Sequence, residues 1–157
     1  MDEKKAMELA MTVSGECIAK RVRFLNRVIT AIYDRALRPL DIKVNQASIL
    51  VFLSLNGESG PGDIGRALRI EKSTVSRNVE RMRKKGWIEV TERGGRASQT
   101  VRITPDGKEL LAAAHAGWVE AQKEASEILG KEGVGAVRML YDTLVSRPGD
   151  EEKGERG

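Results

Sequence analysis

The chain has 157 residues, with 27 Lys or Arg against 23 Asp or Glu and a formal net charge of +4. An apolar content of 40% is enough to form the core of one ordinary domain. No apolar run approaches the roughly 20 residues needed to cross a bilayer, which predicts no membrane partner. The acidic start, without the basic and apolar segments of a secretory signal, predicts a cytoplasmic protein.

The scarcity of chemically reactive side chains argues against an enzyme. Cys17 is the only cysteine and His115 the only histidine. A Ser, His and Asp triad would have to recruit His115 from the middle of a helix that otherwise looks structural. One Cys and one His also cannot form a typical zinc site, and one Cys cannot form an internal disulfide. The sequence therefore predicts no catalytic residues, no metal and no cofactor.

The first 40 residues have a helical pattern from Met7 to about Leu40, with a break near Ser14 and Gly15. The apolar residues of its face are Ile18, Val22, Leu25, Ile29, Ile32 and Leu37, widened by Phe24, Val28 and Tyr33. A stripe this wide in a short chain is most simply buried against a second subunit, which predicts a dimerisation region over residues 1–40. Packing within its own subunit is the alternative.

Two shorter helices are predicted next. Pro39 and Asp41 interrupt the first pattern, and residues 45–55 (NQASILVFLSL) form a buried helix that Gly57 ends. The loop GESGPGD leads into another helix, with Gly60 at the N-cap and Pro61 at the first position. This loop lacks the Gly-Lys-Ser/Thr ending of a phosphate-binding loop, so it is interpreted as a turn.

Residues 66–87 are interpreted as the second half of a helix-turn-helix. Ile64, Ala67 and Leu68 form one apolar helical face, and Ile70 carries the chain through a tight turn. In the second helix, a narrow buried stripe is predicted at Val75, Val79 and Met82. The second helix then presents an outer face consisting of Ser73, Ser76, Arg77, Glu80 and Lys84. Short hydroxyl groups and a long Arg side chain on one face can reach base edges and phosphates together.

The distribution of charge favours nucleic-acid binding over a merely solvated surface. Residues 66–102 contain eleven Lys or Arg and four Glu, a net charge of +7 in a chain whose total is only +4. Positive charge is thus concentrated on one segment, as expected for a surface that binds phosphates. Lys72 and Arg81 belong to this segment and join the candidate DNA-binding residues.

A β-hairpin is predicted directly after the second helix. Residues 88–92 (IEVTE) and 99–103 (QTVRI) alternate apolar and polar side chains with a period of two. The intervening RGGRAS carries Arg93 and Arg96, whose side chains suit a minor groove. The hairpin is therefore interpreted as a wing, with a plain surface hairpin as the alternative.

The C-terminal part is predicted to contain two helices. Thr104 caps and Pro105 opens the first of them, and Gly130 closes it. Its apolar face is formed by Leu110, Leu111, Ala114, Trp118, Ala121, Ala125 and Ile128, and the last helix contributes Val134, Val137, Leu140, Tyr141 and Leu144. The polar residues 147–157 are predicted to be a disordered tail.

From about Cys17 to Leu144 the chain resembles the MarR family of winged-helix transcriptional regulators. The resemblance lies in DIGRALRIEKSTVSRNVERMRKKGWIEV and in VRITPDGKELL. It implies a mainly α fold with a small β-hairpin wing: a winged helix-turn-helix over residues 41–104, flanked by dimerisation helices over 1–40 and 105–146. By this likeness the recognition helix touches DNA through Ser73, Thr74, Ser76 and Arg77, and the wing through Arg96. One departure is that Gly94 replaces the acidic residue common in the family's wing.

The resemblance also implies a function. We expect a homodimeric regulator, a repressor, that binds a pseudo-palindromic double-stranded DNA operator and is released by a small-molecule effector. One alternative is redox sensing through Cys17, since Lys20, Arg21 and the helix N-terminus could lower the thiol pKa. The other alternative is a winged-helix module for protein association. The predicted DNA-binding residues are Lys72, Ser73, Thr74, Ser76, Arg77, Arg81, Arg93 and Arg96.

Overall fold

The computed structural model describes residues 2–92 and 99–146, which form a mostly helical chain with one β-hairpin. The elements in order are α1 (Glu3–Glu16), α2 (Ile18–Leu37), a 3₁₀ turn (Arg38–Leu40), α3 (Val44–Asn56), α4 (Pro61–Leu68), α5 (Lys72–Lys84), β1 (Ile88–Glu92), β2 (Gln99–Ile103) and α6 (Pro105–Val145). The chain divides into two compact units, residues 1–121 and residues 122–157. The predicted fold class is confirmed.

The N-terminal helices α1 and α2 meet at Cys17, slightly later than the predicted break near Ser14 and Gly15. Cys17 has an extended backbone with φ −64° and ψ 108°, and its N–H donates to the carbonyl of Val13 at 3.0 Å. Its backbone thus completes the last turn of α1 while directing the chain into α2. The break is set by backbone geometry at a residue whose type carries no strong helix-ending signal.

Helix α2 is covered at its C-terminal half and uncovered at its N-terminal half. Ile32 and Leu37 are buried, whereas Ile18 and Phe24 are 75% and 68% exposed in the single chain. The carboxylate of Asp34 accepts a hydrogen bond from the Val44 N–H at 2.8 Å, which joins α2 to the first turn of α3. The chain's own core therefore buries the wide apolar stripe of α2 only in its C-terminal half.

The core of the first unit lies under the helix-turn-helix and the hairpin. Its fully buried side chains include Leu37, Ile42, Ile49, Leu50, Leu53, Ile64, Val75, Met82, Ile88 and Val101. Helix α3 occupies residues 44–56, one residue beyond the predicted 45–55 at each end, and Gly57 ends it with φ 73°. The predicted strands β1 and β2 are confirmed residue for residue, with Ile88 opposite Ile103 and Glu92 opposite Gln99.

A third backbone segment pairs with the hairpin at Ser59. Its N–H and carbonyl exchange hydrogen bonds of 3.1 and 2.9 Å with the carbonyl and N–H of Val101. This bridge anchors the loop before α4 to β2. A one-residue bridge has no side-chain periodicity, which explains why the sequence pattern did not reveal it.

Helix α6 begins as predicted and is interrupted at Gly130. The Gly107 N–H donates to the Thr104 hydroxyl at 3.1 Å, which is the expected N-terminal cap. Gly130 has φ 67° and ψ 171°, so the helical backbone stops and restarts there, as the predicted pair of helices requires. Within the second unit the apolar side chains of Val137, Leu140 and Tyr141 are exposed.

In the described part of the chain, no helix is long and apolar enough to cross a membrane. The predicted tail over residues 147–157 lies outside the described residues.

Candidate nucleic-acid interface

The turn between α4 and α5 is held by close backbone packing. Arg69 ends α4 in the left-handed region with φ 52°, and the Ile70 N–H donates to the Gly65 carbonyl at 2.9 Å. A Cβ at Gly65 would lie 3.0 Å from the Ile70 carbonyl oxygen and 3.6 Å from Cγ2 of Val75. Glycine at this position therefore lets the two helices approach closely, which fixes the direction in which α5 leaves the turn.

The inner face of α5 carries the predicted stripe. Val75, Val79 and Met82 are buried, and α5 packs against α4 and β1. The prediction for α4 was wrong at one residue, because Ala67 is exposed while Ile64 is buried and Leu68 half-buried. The i, i+4 pair of Ile64 and Leu68 forms the buried face, and Ala67 lies on its solvent side.

The outer face of α5 starts at an open helix N-terminus. Glu71 is the N-cap residue, but its side chain makes no capping hydrogen bond. Its carbonyl accepts from the N–H groups of Thr74 and Val75 at 2.9 and 3.0 Å, while Lys72 and Ser73 are exposed in the first turn. A helix N-terminus with exposed donors and a positive dipole end is a good place for a phosphate.

The predicted contact residues on α5 share this exposed surface. Ser76, Arg77 and Arg81 are exposed, and Thr74 is half-buried. The guanidinium of Arg77 donates to the Thr74 hydroxyl at 3.2 Å, which directs the Arg side chain along the helix towards its N-terminus. The structure thus brings all six predicted α5 residues onto one accessible region. Arg93 and Arg96 lie outside the described residues.

Ion pairs remove several of the eleven cations from this surface. Nε and Nη2 of Arg83 donate to the two carboxylate oxygens of Glu80 at 3.0 Å each, and Lys84 lies 3.4 Å from the same carboxylate. The hydrogen bond from Arg83 lowers the pKa of Glu80 below its ordinary value of 4.5, and Glu80 in turn raises the pKa of Arg83. Arg102 pairs with Glu58 and Glu89.

The remaining cations of α5 are available to a partner. Lys72, Arg77 and Arg81 form no salt bridge with any residue in the described ranges 2–92 and 99–146. Sequence reasoning selected these three, but it did not separate them from the engaged Arg83 and Lys84. The i, i+3 and i, i+4 spacings from Glu80 were a usable signal for that engagement.

The described residues form open cavities, of which two are of a size that suits a small molecule. The first, of about 380 Å³, lies between α5 and the base of the hairpin and is lined by Pro61, Ser76, Val79, Glu80, Arg83, Val90, Glu92 and Gln99. The second, of about 340 Å³, lies where α2 leads into α3 and is lined by Ala31, Asp34, Arg35, Arg38, Asp41, Ile42 and Lys43. Both volumes are within the range of small-molecule sites.

The surroundings of Cys17 do not favour the redox alternative. Cys17 is partly exposed at the N-cap of α2, as the sequence suggested. However, Nζ of Lys20 donates to the carbonyl and hydroxyl of Ser14 at 3.0 and 2.5 Å, and Arg21 donates to the Gly15 carbonyl. The two cations expected to activate the thiol are thus directed to the C-terminal carbonyls of α1, where the helix dipole is negative.

His115 lies on the exposed surface of α6 rather than in a reactive cluster. Its ring stacks on Trp118 with 6.0 Å between the centroids. Over the described residues, no group of three or more His, Cys, Asp or Glu is arranged to hold a metal ion. The described side chains therefore bring together cations and hydroxyl groups on α5.

A helix-turn-helix followed directly by a two-stranded hairpin defines the winged helix-turn-helix class, whose second helix enters a DNA major groove. Residues 40–97 match the family model described as MarR family. An uncharacterised helix-turn-helix regulator, YdgG of Bacillus subtilis, is 23% identical over 150 residues, covering 94% of this chain and 95% of its own. Over residues 40–97 the chain is thus similar to MarR-family regulators, and over most of its length it is similar to a helix-turn-helix transcriptional regulator.

Two solved structures share this fold. A cysteine-substituted mutant of MarR from E. coli, complexed with operator DNA, has a TM-score of 0.72 and 18% identity, covering 85% of this chain and 96% of its own. BpsR of Bordetella bronchiseptica, whose DNA binding is regulated by 6-hydroxynicotinic acid, has a TM-score of 0.73 and 20% identity, with coverages of 83% and 94%. At these identities the likeness establishes the fold.

Proposed function

We propose that this chain is a homodimeric, sequence-specific regulator of transcription that binds double-stranded DNA and acts as a repressor released by a small molecule. The observation that carries the proposal is the outer face of α5, where unpaired cations and hydroxyl groups lie together at an open helix N-terminus. A DNA-binding regulator needs no catalytic residue, and it acts in the cytoplasm, where bacterial DNA lies. We therefore assign the chain a regulatory rather than an enzymatic role.

In the proposed complex the N-terminal half of α5 enters the major groove. Hydroxyl groups and the Arg77 fork contact base edges, while flanking cations contact phosphates. The wing tip lies in the adjacent minor groove. The residues assigned to this interface are Lys72, Ser73, Thr74, Ser76, Arg77, Arg81, Arg93 and Arg96.

Dimerisation is supported by apolar surface at both ends of the chain. On α2, Ile18, Val22 and Phe24 are exposed, and on α6, Leu140 and Tyr141 are exposed. Contiguous apolar patches of this kind are uncommon on monomeric proteins and mark association surfaces. We assign residues 1–40 and 105–146 to the dimer interface and 41–104 to DNA. A two-fold dimer then reads two half-sites roughly 34 to 36 Å apart.

The cavity between α2 and α3 is the better candidate for the effector. Its two carboxylates, Asp34 and Asp41, are outnumbered by the basic side chains that line it, and Asp41 also pairs with Lys85. Its lining also carries the basic side chains of Arg38 and Lys43. An unbalanced positive charge in a cavity of this size suits a small organic anion, and BpsR provides a precedent in its response to 6-hydroxynicotinic acid.

The experiment that tests the proposal is DNA binding as a function of salt. The full chain is titrated into a labelled random duplex library and into genomic fragments at several salt concentrations, and bound DNA is sequenced. We expect enrichment of a pseudo-palindrome and an affinity that falls steeply with salt, with a slope of about −0.9 per phosphate contact. If the protein bound none of the labelled DNA at low salt, DNA binding would be refuted and a module for protein association would be favoured.

A further inference from the structure

Lys85, the residue that ends α5, joins the recognition helix to the segment that follows α2. Its Nζ donates to the carbonyl oxygen of Asp41 at 2.8 Å and to the Asp41 carboxylate at 2.5 Å. The same ammonium group lies 4.4 Å from the centroid of the Trp87 ring. Three partners hold this lysine, whose side chain is only 34% exposed. It differs in this from Lys84, whose side chain is 69% exposed and pairs with Glu80.

The two residues of this contact, Asp41 and Lys85, lie in segments to which we assign different roles. Asp41 ends the 3₁₀ turn that continues α2, and its left-handed backbone, with φ 51°, directs the chain towards α3. Lys85 caps the helix that we assign to the major groove. The contact thus ties the C-terminus of α5 to the C-terminal end of the helix whose other end we assign to the dimer.

We propose that Lys85 is a positioning residue that fixes the tilt of α5 relative to α2, and thereby the spacing of the two half-sites that the dimer accepts. This inference rests on the proposed function. Buried side chains hold the inner face of α5 from Val75 to Met82, and the contact of Lys85 holds the C-terminal end of the helix beyond them. Lys85 is held by Asp41 and Trp87 and does not contact phosphate.

The spacing of half-sites is a sensitive readout of such a tilt. Adding one base pair increases the separation of the half-sites by about 3.4 Å. With about 10 to 10.5 base pairs per turn, it also rotates one half-site relative to the other by roughly 34 to 36°. A rigidly positioned pair of helices should therefore lose at least about tenfold in affinity when the spacer of its best operator changes by one base pair. A loosened helix should lose much less.

The test compares wild type with Lys85→Met, Lys85→Arg, Asp41→Asn and the matched control Lys84→Met. Each is titrated against the operator selected by wild type and against versions with one base pair added to or removed from the spacer. We expect Lys85→Met and Asp41→Asn to bind the best operator more weakly and to discriminate spacers less than about threefold. Lys84→Met and Lys85→Arg should keep the wild-type ratio.

Two further comparisons separate positioning from direct contact. If Lys85 bound a phosphate, Lys85→Met would reduce the salt slope of the dimer by about 1.8, which is about 0.9 for each subunit, whereas a positioning role leaves the slope unchanged. Asp41→Asn removes a negative charge, and Asn tolerates the left-handed backbone, so simple electrostatics would strengthen DNA binding by this variant. Asp41 is 90% exposed, which makes this variant the safeguard should Lys85→Met fail to fold.

The outcomes are distinct for the proposed function and for this inference. A wild-type protein that binds no duplex overturns both. A wild-type protein that binds DNA without discriminating spacers, or that shares its spacer ratio with Lys85→Met and Asp41→Asn, overturns the positioning role alone. A reduced salt slope for Lys85→Met would instead make Lys85 a phosphate contact.

Discussion

Replacement of Gly107 by Ala should destabilise the protein strongly, although alanine is the better helix former. Gly107 is buried in the first turn of α6, against the residue that follows the recognition helix. A Cβ there would lie 2.1 Å from the carbonyl oxygen of Trp87 and 2.9 Å from Cγ1 of Ile103. The nearest obstacle is backbone, which cannot rotate away as the end of a side chain can.

The change in the free energy of unfolding is the sum of one stabilising and two destabilising contributions. Alanine gains about 1 kcal/mol in helix propensity. Overpacking against a rigid neighbour costs about 1 to 3 kcal/mol or more. The Trp87 carbonyl also accepts the Thr104 N–H at 3.1 Å, and displacing it puts that bond at risk. Loss of the bond adds about 1 to 3 kcal/mol. We expect a net destabilisation of roughly 2 to 4 kcal/mol, with Tm lowered by about 5 to 15 °C.

Thermal unfolding followed by circular dichroism measures this change, with Gly62→Ala as the matched control. At Gly62, in the first turn of α4, the nearest atom to an added Cβ is the flexible end of Arg66 at 3.7 Å. The control should therefore change stability by less than about 1 kcal/mol, in the stabilising direction. Equal melting temperatures for the two variants would show that α6 can shift at its start without cost.

The other predictions concern DNA, pH and assembly. Arg77→Ala should weaken specific binding by about 1 to 3 kcal/mol and relax sequence preference, as measured by fluorescence anisotropy. Lys72→Ala should weaken binding to all sequences alike and reduce the salt slope of the dimer by about 2, which is about 1 for each subunit. Glu80 should titrate below 4.5 by NMR, and Arg83→Met should return it towards that value. Because the folded pKa is depressed, the stabilisation from this pair is present at neutral pH and is lost as pH falls through that pKa. Deleting residues 131–157 should convert the dimer into monomer or aggregate in sedimentation.

Some elements were predictable because a single local cause determines them. The strands β1 and β2 were predicted residue for residue from alternation of period two bounded by Gly86 and the Gly-Gly turn. The start of α6 followed from a Thr cap and a Pro at the first helical position. The exact position of the break at Cys17 and the bridge at Ser59 depend instead on backbone contacts, for which the residue types give no signal.

The candidate site was predictable in its location but not in the state of its charges. Composition alone gives residues 66–102 a net charge of +7. The structure separates paired from unpaired cations, because Glu80 pairs with Arg83 and Lys84, and Asp41 pairs with Lys85. The pairs with Glu80 are one helical turn apart and could be anticipated from spacing.

Asp41 and Lys85 are 44 positions apart in the sequence, and they pair because the fold brings the C-terminal ends of two helical segments together. Net charge therefore overestimates the number of phosphate contacts. A cation that is paired within the protein must break that ion pair before it binds a phosphate. Because the exchange replaces one exposed ion pair by another, it yields little net free energy. The salt slope should accordingly follow the unpaired cations of α5 and the wing rather than the eleven cations of the segment. In a dimer, all eleven cations of each subunit would give a slope of about −20, and such a slope would show that the paired cations also reach DNA.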